Sequence, residues 1–124
     1  MSGWQVVTLD EAERRRGWIP LREQLDVHAF GVNAWSVESA GGSVIPEHDE
    51  RQTEQEEIYV IAEGSGRIKL DSEVRDLQQW DILRIGPGVM RNLEAGSDGI
   101  TLIAFGAPIG EENDGDIVPG WWAS

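Results

Sequence analysis

The chain contains no cysteine. That excludes disulfides, thiolate metal ligands and a thiol nucleophile, and it suits a reducing compartment. Histidine is almost as scarce. There are two in 124 residues, so any imidazole chemistry rests on His28 or His48. Basic residues are few as well, 10 against 23 acidic ones, for a formal net charge of -13. Such a balance repels a nucleic-acid backbone or an anionic membrane surface, so neither is expected as a partner. No apolar run approaches the length of a membrane span. The N-terminal stretch MSGWQVVTLDEAERRRGW lacks the apolar core and small-residue cleavage site of a secretory leader, and a cytoplasmic protein is expected.

What is present is β-rich sequence cut by glycine. The length is that of one domain spanning residues 1–124. Runs with a period of two occupy residues 29–37, 44–50, 58–62, 67–70, 82–85 and 100–105. Turn residues separate them: Ala40-Gly41-Gly42, Gly64-Ser65-Gly66, Asp71-Ser72, Gly86-Pro87-Gly88 and Gly96-Ser97-Asp98-Gly99. Gly64 and Gly66 around Ser65 are expected to make one tight hairpin, and Asp71-Ser72 another. A short helix is expected over residues 11–16, where acidic residues lead, Arg14-Arg15-Arg16 follow and Gly17 stops the run. Short strands at this spacing argue an antiparallel, all-β barrel or jelly roll with its core at about residues 30–107. The tail, residues 108–124, begins acidic and ends in Ile117-Val118-Pro119-Gly120-Trp121-Trp122. It is too apolar to hang in water and is expected to fold back onto the barrel or a partner subunit. Six tryptophans, Trp4, Trp18, Trp35, Trp80, Trp121 and Trp122, read as core and interface residues.

Two stretches carry the chemistry. The first, GSVIPEHDERQTEQEEIYVIAEG, holds Gly42, His48, Glu50, Glu57 and Gly64; the second, WDILRIGPGVMR, runs from Trp80 to Arg91. Together they resemble the two sequence motifs of the cupin superfamily. Gly42, His48, Glu57 and Gly64 stand in the first motif's Gly, His, Glu and Gly slots. Glu50 takes the second histidine slot, and six residues separate it from Glu57 where the motif has three or four. In the second motif, counted from Gly88, Arg91 occupies the histidine slot, Ala95 the asparagine slot and Trp80 the first glycine slot, with Pro87 displaced by one. The order PEHDE, QEEIYV and PG-x-x-R is similar to a bacterial cupin subgroup without an assigned activity. The resemblance covers residues 32–107 and implies a double-stranded β-helix.

Strand alternation sorts the candidate side chains. On the strand that carries Glu57, Tyr59 and Ile61 share its face, and Glu50 shares the face of His48. Trp35 and Asn33 have one parity on the strand entering the barrel. The candidate ligand-binding set is therefore His48, Glu50, Glu57, Tyr59, Ile61, Arg91, Trp35 and Asn33. Ile58, Val60 and Ala62 face the other way. Apolar residues on both faces fit a barrel wall that is also a subunit contact, and a homodimer is expected. Glu54 and Glu56 read as surface. His28 has no partner at ligand spacing and reads as a structural or surface histidine.

The resemblance raises a metal, since metal-binding cupins surround a divalent ion with imidazoles and a carboxylate, a set suited to iron, manganese, nickel or zinc. Only His48, Glu50 and Glu57 could serve here. Arg91 has five donors, no lone pair and a fixed charge, so it is expected to clamp the motifs by pairing with Glu57, or else with Glu50, in place of a metal. Three functions follow. The favoured one is metal-free binding of a small, anionic molecule, with Arg91 presenting its fork to a carboxylate or phosphate. The second is a metal-free isomerase or epimerase using His48 with Glu50 or Glu57 as acid and base, which makes His48 and Glu57 the catalytic candidates. The third is a metal-dependent oxygenase or isomerase.

Overall fold

The computed structural model describes residues 3–38, 43–110, 119–120 and 123. The whole Ala40-Gly41-Gly42 turn, residues 111–118 and Trp121 and Trp122 lie outside these residues, and with them the expected fold-back of the tail. Among the described residues, seven strands and one helix follow in chain order: β1 (Trp18–Ile19), α1 (Leu21–Leu25), β2 (Gly31–Val37), β3 (Ser43–His48), β4 (Gln55–Leu70), β5 (Glu73–Gln78), β6 (Ile82–Ile85) and β7 (Arg91–Pro108). Every pairing is antiparallel, in the order β1-β2-β7-β4-β5, with β3 also on β7 and β6 also on β4. The expected all-β architecture is present. No helix among the described residues is long and apolar enough to cross a membrane.

Two long strands organise the molecule. β4 and β7 pair over most of their length, and each serves two further strands: β6 and β5 for β4, β2 and β3 for β7. The glycine clusters of these strands were expected to be turns and are not. Gly64-Ser65-Gly66 and residues 96–99 lie inside continuous strands, where the register slips so that Gly64 faces Ile100 and Gly66 faces Ala95. The extra residues on β7 form a bulge, which bends the strand pair without breaking it. Glycine is required there. A Cβ on Gly64 would sit 2.2 Å from the Gly99 carbonyl oxygen, one on Gly99 would sit 2.2 Å from that of Val37, and both residues have positive φ. The Asp71-Ser72 hairpin forms as expected, with Asp71 at φ 53 and Leu70 opposite Glu73.

The helix is displaced from its expected place. Residues 11–16 form no helix: Arg15 bridges to Trp18, and Arg16 has φ 61. That segment offers only Ala12 to the core, too little to hold an isolated turn of helix. Leu21 and Leu25, one turn apart, pack with Ile19, Val32 and Ala34, and α1 forms there, ended by Asp26 in the left-handed region. These residues make a small outer core over β2. The main core, including Ile45, Tyr59, Ile61, Ile68, Leu93, Ile100 and Leu102, fills the barrel. Of the described tryptophans, Trp35 packs against this core, whereas Trp4 and Trp80 are exposed and are not part of it.

Candidate functional site

β2, β3, β4 and β7 together wall a cavity of about 260 Å³. Alternation along β4 brings Gln55, Glu57 and Tyr59 to it, β2 contributes Asn33 and Trp35, and Ile45, Pro46, His48 and Glu50 come from β3 and the loop after it. Ala104 and Gly106 of β7 and Gly31 of β2 leave room between these side chains. Six of the eight sequence candidates thus meet in one place. Ile61 does not line the cavity. It shares the parity of Glu57 but lies four residues further along β4, fully buried in the core.

Arg91 is the larger departure. It has 0% exposure and does not line this cavity. Its Nη1 donates to Oε1 of Glu57 at 2.6 Å and its Nη2 to the Gly86 carbonyl at 2.6 Å, while Nε is buried without a partner. The expected pairing with Glu57 is therefore present, but the fork offered to an anion is not. A buried guanidinium cannot forgo partners without a cost of several kcal/mol, and the nearest carboxylate and carbonyl take both of its terminal nitrogens.

The remaining polar groups are held from outside. His48 Nδ1 lies 2.8 Å from the Pro46 carbonyl, which can only accept, so that nitrogen carries a hydrogen. Its Nε2 lies 3.3 Å from Oε1 of Glu50. With a charged ring this is an ion pair; with a neutral ring a lone pair faces a carboxylate, which a proton or cation between them relieves. Glu50 Oε2 accepts from the Thr53 hydroxyl at 3.0 Å, and the Glu50 N–H donates to the Pro87 carbonyl at 2.9 Å. Arg51 Nη2 donates to the Gly88 carbonyl at 2.9 Å, so the loop after β3 is tied to the turn before β7 at two points.

Ligand atoms of His48, Glu50 and Glu57 all lie within 4.8 Å of one another. Burial pushes the Glu57 carboxyl above its ordinary range; Arg91 pulls it back only in part, and Glu50 adds to the rise. Burial, with Glu57 beside it, also raises the Tyr59 phenol, which stays a neutral donor. Gln55, Ile45, Pro46, Gly31, Ala104 and Gly106 were not foreseen as lining residues. Gln55 was within reach of the alternation argument, being two residues before Glu57. His28 pairs with Asp26 at the surface, away from the cavity.

A cupin protein from Bacteroides fragilis has a similar structure, with a TM-score of 0.76 and 27% identity over 95% of this chain and 99% of that one. The chain belongs to the cupin superfamily. Two further solved structures share the cupin fold. A Cupin 2 conserved barrel domain protein from Salinispora arenicola has a TM-score of 0.68 and 18% identity over 85% of this chain and 89% of that chain. An uncharacterized conserved protein with a double-stranded β-helix domain from Klebsiella pneumoniae has a TM-score of 0.68 and 16% identity over 84% and 90%. No protein-family model and no curated protein matches the sequence. In this cupin the second histidine slot is filled by Glu50 and the last by Arg91, so His48 stands in the cavity with two carboxylates and no second imidazole.

Proposed function

We propose that this cupin binds a small polar molecule in the β2–β3–β4–β7 cavity, in the cytoplasm and as a homodimer, through hydrogen-bond donors on the ligand. One observation carries the reading: His48, Glu50 and Glu57 converge, and a neighbour holds the outer atom of each. What they turn inward is acceptor capacity, which suits an ammonium or a set of hydroxyls. Trp35, Ile45 and Pro46 supply an apolar wall for the rest of the molecule. An anionic ligand is disfavoured, because the arginine meant for it is already bound to Glu57 and Gly86.

A thermal-shift series in the presence of chelator tests this with small amines and polyols against carboxylates and phosphates of equal size. Stabilisation by the first group, lost in Glu50→Gln, is expected. Stabilisation by the anions alone would refute it.

A second reading has its own support in the donor set. One imidazole with its far nitrogen hydrogen-bonded to a carbonyl and two carboxylates anchored by Thr53 and Arg91 make an outer shell that suits a divalent ion such as manganese or zinc. Arg91 lies behind Glu57, its charge already paired, and so obstructs such an ion less than its sequence position suggests. A bound ion would supply Lewis acidity to a coordinated ligand oxygen. Calorimetry with manganese and zinc separates the readings: tight binding that disappears in His48→Ala favours the metal.

A further inference from the structure

A single atom can reach all three polar groups that converge in the cavity. One ligand atom from each of His48, Glu50 and Glu57 lies within 4.8 Å of the other two. Three atoms so spaced share a point at about 2.8 Å from each, which is the length of a charged hydrogen bond. On Glu57, Oε1 is taken by Arg91, while Oε2 lies 3.5 Å from where a Cβ on the cavity residue Gly106 would sit. On Glu50, Oε2 accepts from Thr53, and Oε1 stands 3.3 Å from His48 Nε2. Charge is uneven as well. Arg91 balances Glu57, whereas no lysine or arginine among the described residues lines the cavity to balance Glu50.

We infer that the ligand carries a primary ammonium, which occupies this point and donates one hydrogen each to His48 Nε2, Glu50 and Glu57. The inference rests on the donor-ligand reading above and chooses between the two classes which that reading admits. A hydroxyl meets the point poorly. It brings one hydrogen and two lone pairs, so it satisfies one acceptor and turns its own oxygen against the others. A primary ammonium brings three hydrogens, no lone pair and one positive charge, and so answers three acceptors and the unbalanced carboxylate together. A quaternary ammonium has the charge without the hydrogens. Trp35 on the wall offers an aromatic ring that attracts a cation, and the chain's net charge of -13 gathers cations from solution. The stem is short, because 260 Å³ is the room of about nine water molecules. Ile45 and Pro46 give that stem an apolar side. Gly106 keeps the room open, since a Cβ there would lie 3.0 Å from Gln55 Oε1.

Amide chemical-shift titration of the full chain tests this, with chelator present and at about pH 8, where an alkylamine is still charged and an ordinary imidazole neutral. The probes are butylamine, butyltrimethylammonium, butan-1-ol and butyrate, with erythritol as a polyol of the same carbon count. Butylamine is expected to bind at least about tenfold more tightly than every other probe, with its shifts centred on Glu50 and Glu57. Glu50→Gln should weaken butylamine at least about tenfold and leave butan-1-ol unchanged, since only the amine uses the carboxylate. Butyltrimethylammonium bound as tightly as butylamine would overturn the inference by showing that charge alone attracts the ligand. Butan-1-ol or erythritol bound as tightly would overturn the amine and leave the donor-ligand reading standing. Binding of butyrate alone would overturn both, and binding of no probe would overturn the amine. If Glu50→Gln fails to fold, the ranking of probes on the wild type decides.

Discussion

Arg91 and Glu57 form an ion pair across the barrel interior, with Nη1 2.6 Å from Oε1 and the arginine wholly enclosed. The pair joins β4 to the start of β7, and through Nη2 it also holds the Gly86-Pro87-Gly88 turn. Removing one partner leaves the other charged and poorly solvated. Arg91→Met is expected to cost about 3–5 kcal/mol in urea unfolding. Arg91→Met/Glu57→Gln should cost less than the sum of the single changes, because it removes both charges. Additive losses would show that the two residues act independently.

Glu57 gives stability a specific pH signature. Its carboxyl binds a proton more tightly in the folded state than at its ordinary value of 4.5, because burial outweighs Arg91. The folded state is thus favoured by this group below the unfolded pKa, and that contribution is lost as pH rises through the folded value. With chelator present, the stability of the wild type relative to Glu57→Gln should therefore decline as pH rises from about 4.5. Chemical denaturation at a series of pH values checks this, and a relative gain over the same range would contradict it.

Arg91→His exchanges a fixed cation for a neutral imidazole in the slot where cupins place their last ligand. Affinity for manganese, nickel or zinc is expected to rise at least about tenfold over the wild type in calorimetry. Equal affinities would mean that a guanidinium already neutralised by Glu57 does not guard the site. Absence of binding in both would count against a divalent ion at the His48, Glu50 and Glu57 cluster, convergent as it is.

The bend in β4 and β7 gives a backbone prediction. Gly64→Ala combines a positive φ with a Cβ 2.2 Å from a carbonyl oxygen, so strain and clash add. A loss of about 3 kcal/mol or more is expected, against under about 1 kcal/mol for Gly3→Ala, which has open space around it. Melting temperatures of the two variants make the comparison.

The fold was legible because the strand runs alternate and the turns are glycine-rich, and the same alternation brought Glu57 and Tyr59 to one face and His48 and Glu50 to another. It failed where glycine has two uses. Gly64-Ser65-Gly66 reads as a hairpin in one dimension, and only the partner strand, with its own extra residues at 96–99, makes it a bulge. Ile61 was misplaced because parity gives a direction and no depth. Arg91 was placed correctly beside Glu57, yet its lack of access to the cavity depends on the Gly86 carbonyl, which no side-chain pattern announces. The helix at Leu21–Leu25 was missed because charge order at residues 11–16 outweighed two leucines one turn apart.

The turn Gly86-Pro87-Gly88 spends all three of its carbonyls on other parts of the chain: Gly86 on Arg91, Pro87 on the Glu50 N–H and Gly88 on Arg51. Its main chain, and not its side chains, is what the two motifs grip. Such a segment behaves as a gauge block whose length sets the spacing between the His48 loop and the Glu57 strand. A single residue inserted after Pro87 should release both loops together, seen as joint loss of amide-exchange protection at Glu50 and Arg91, while Val89→Ala at unchanged length should leave both protected.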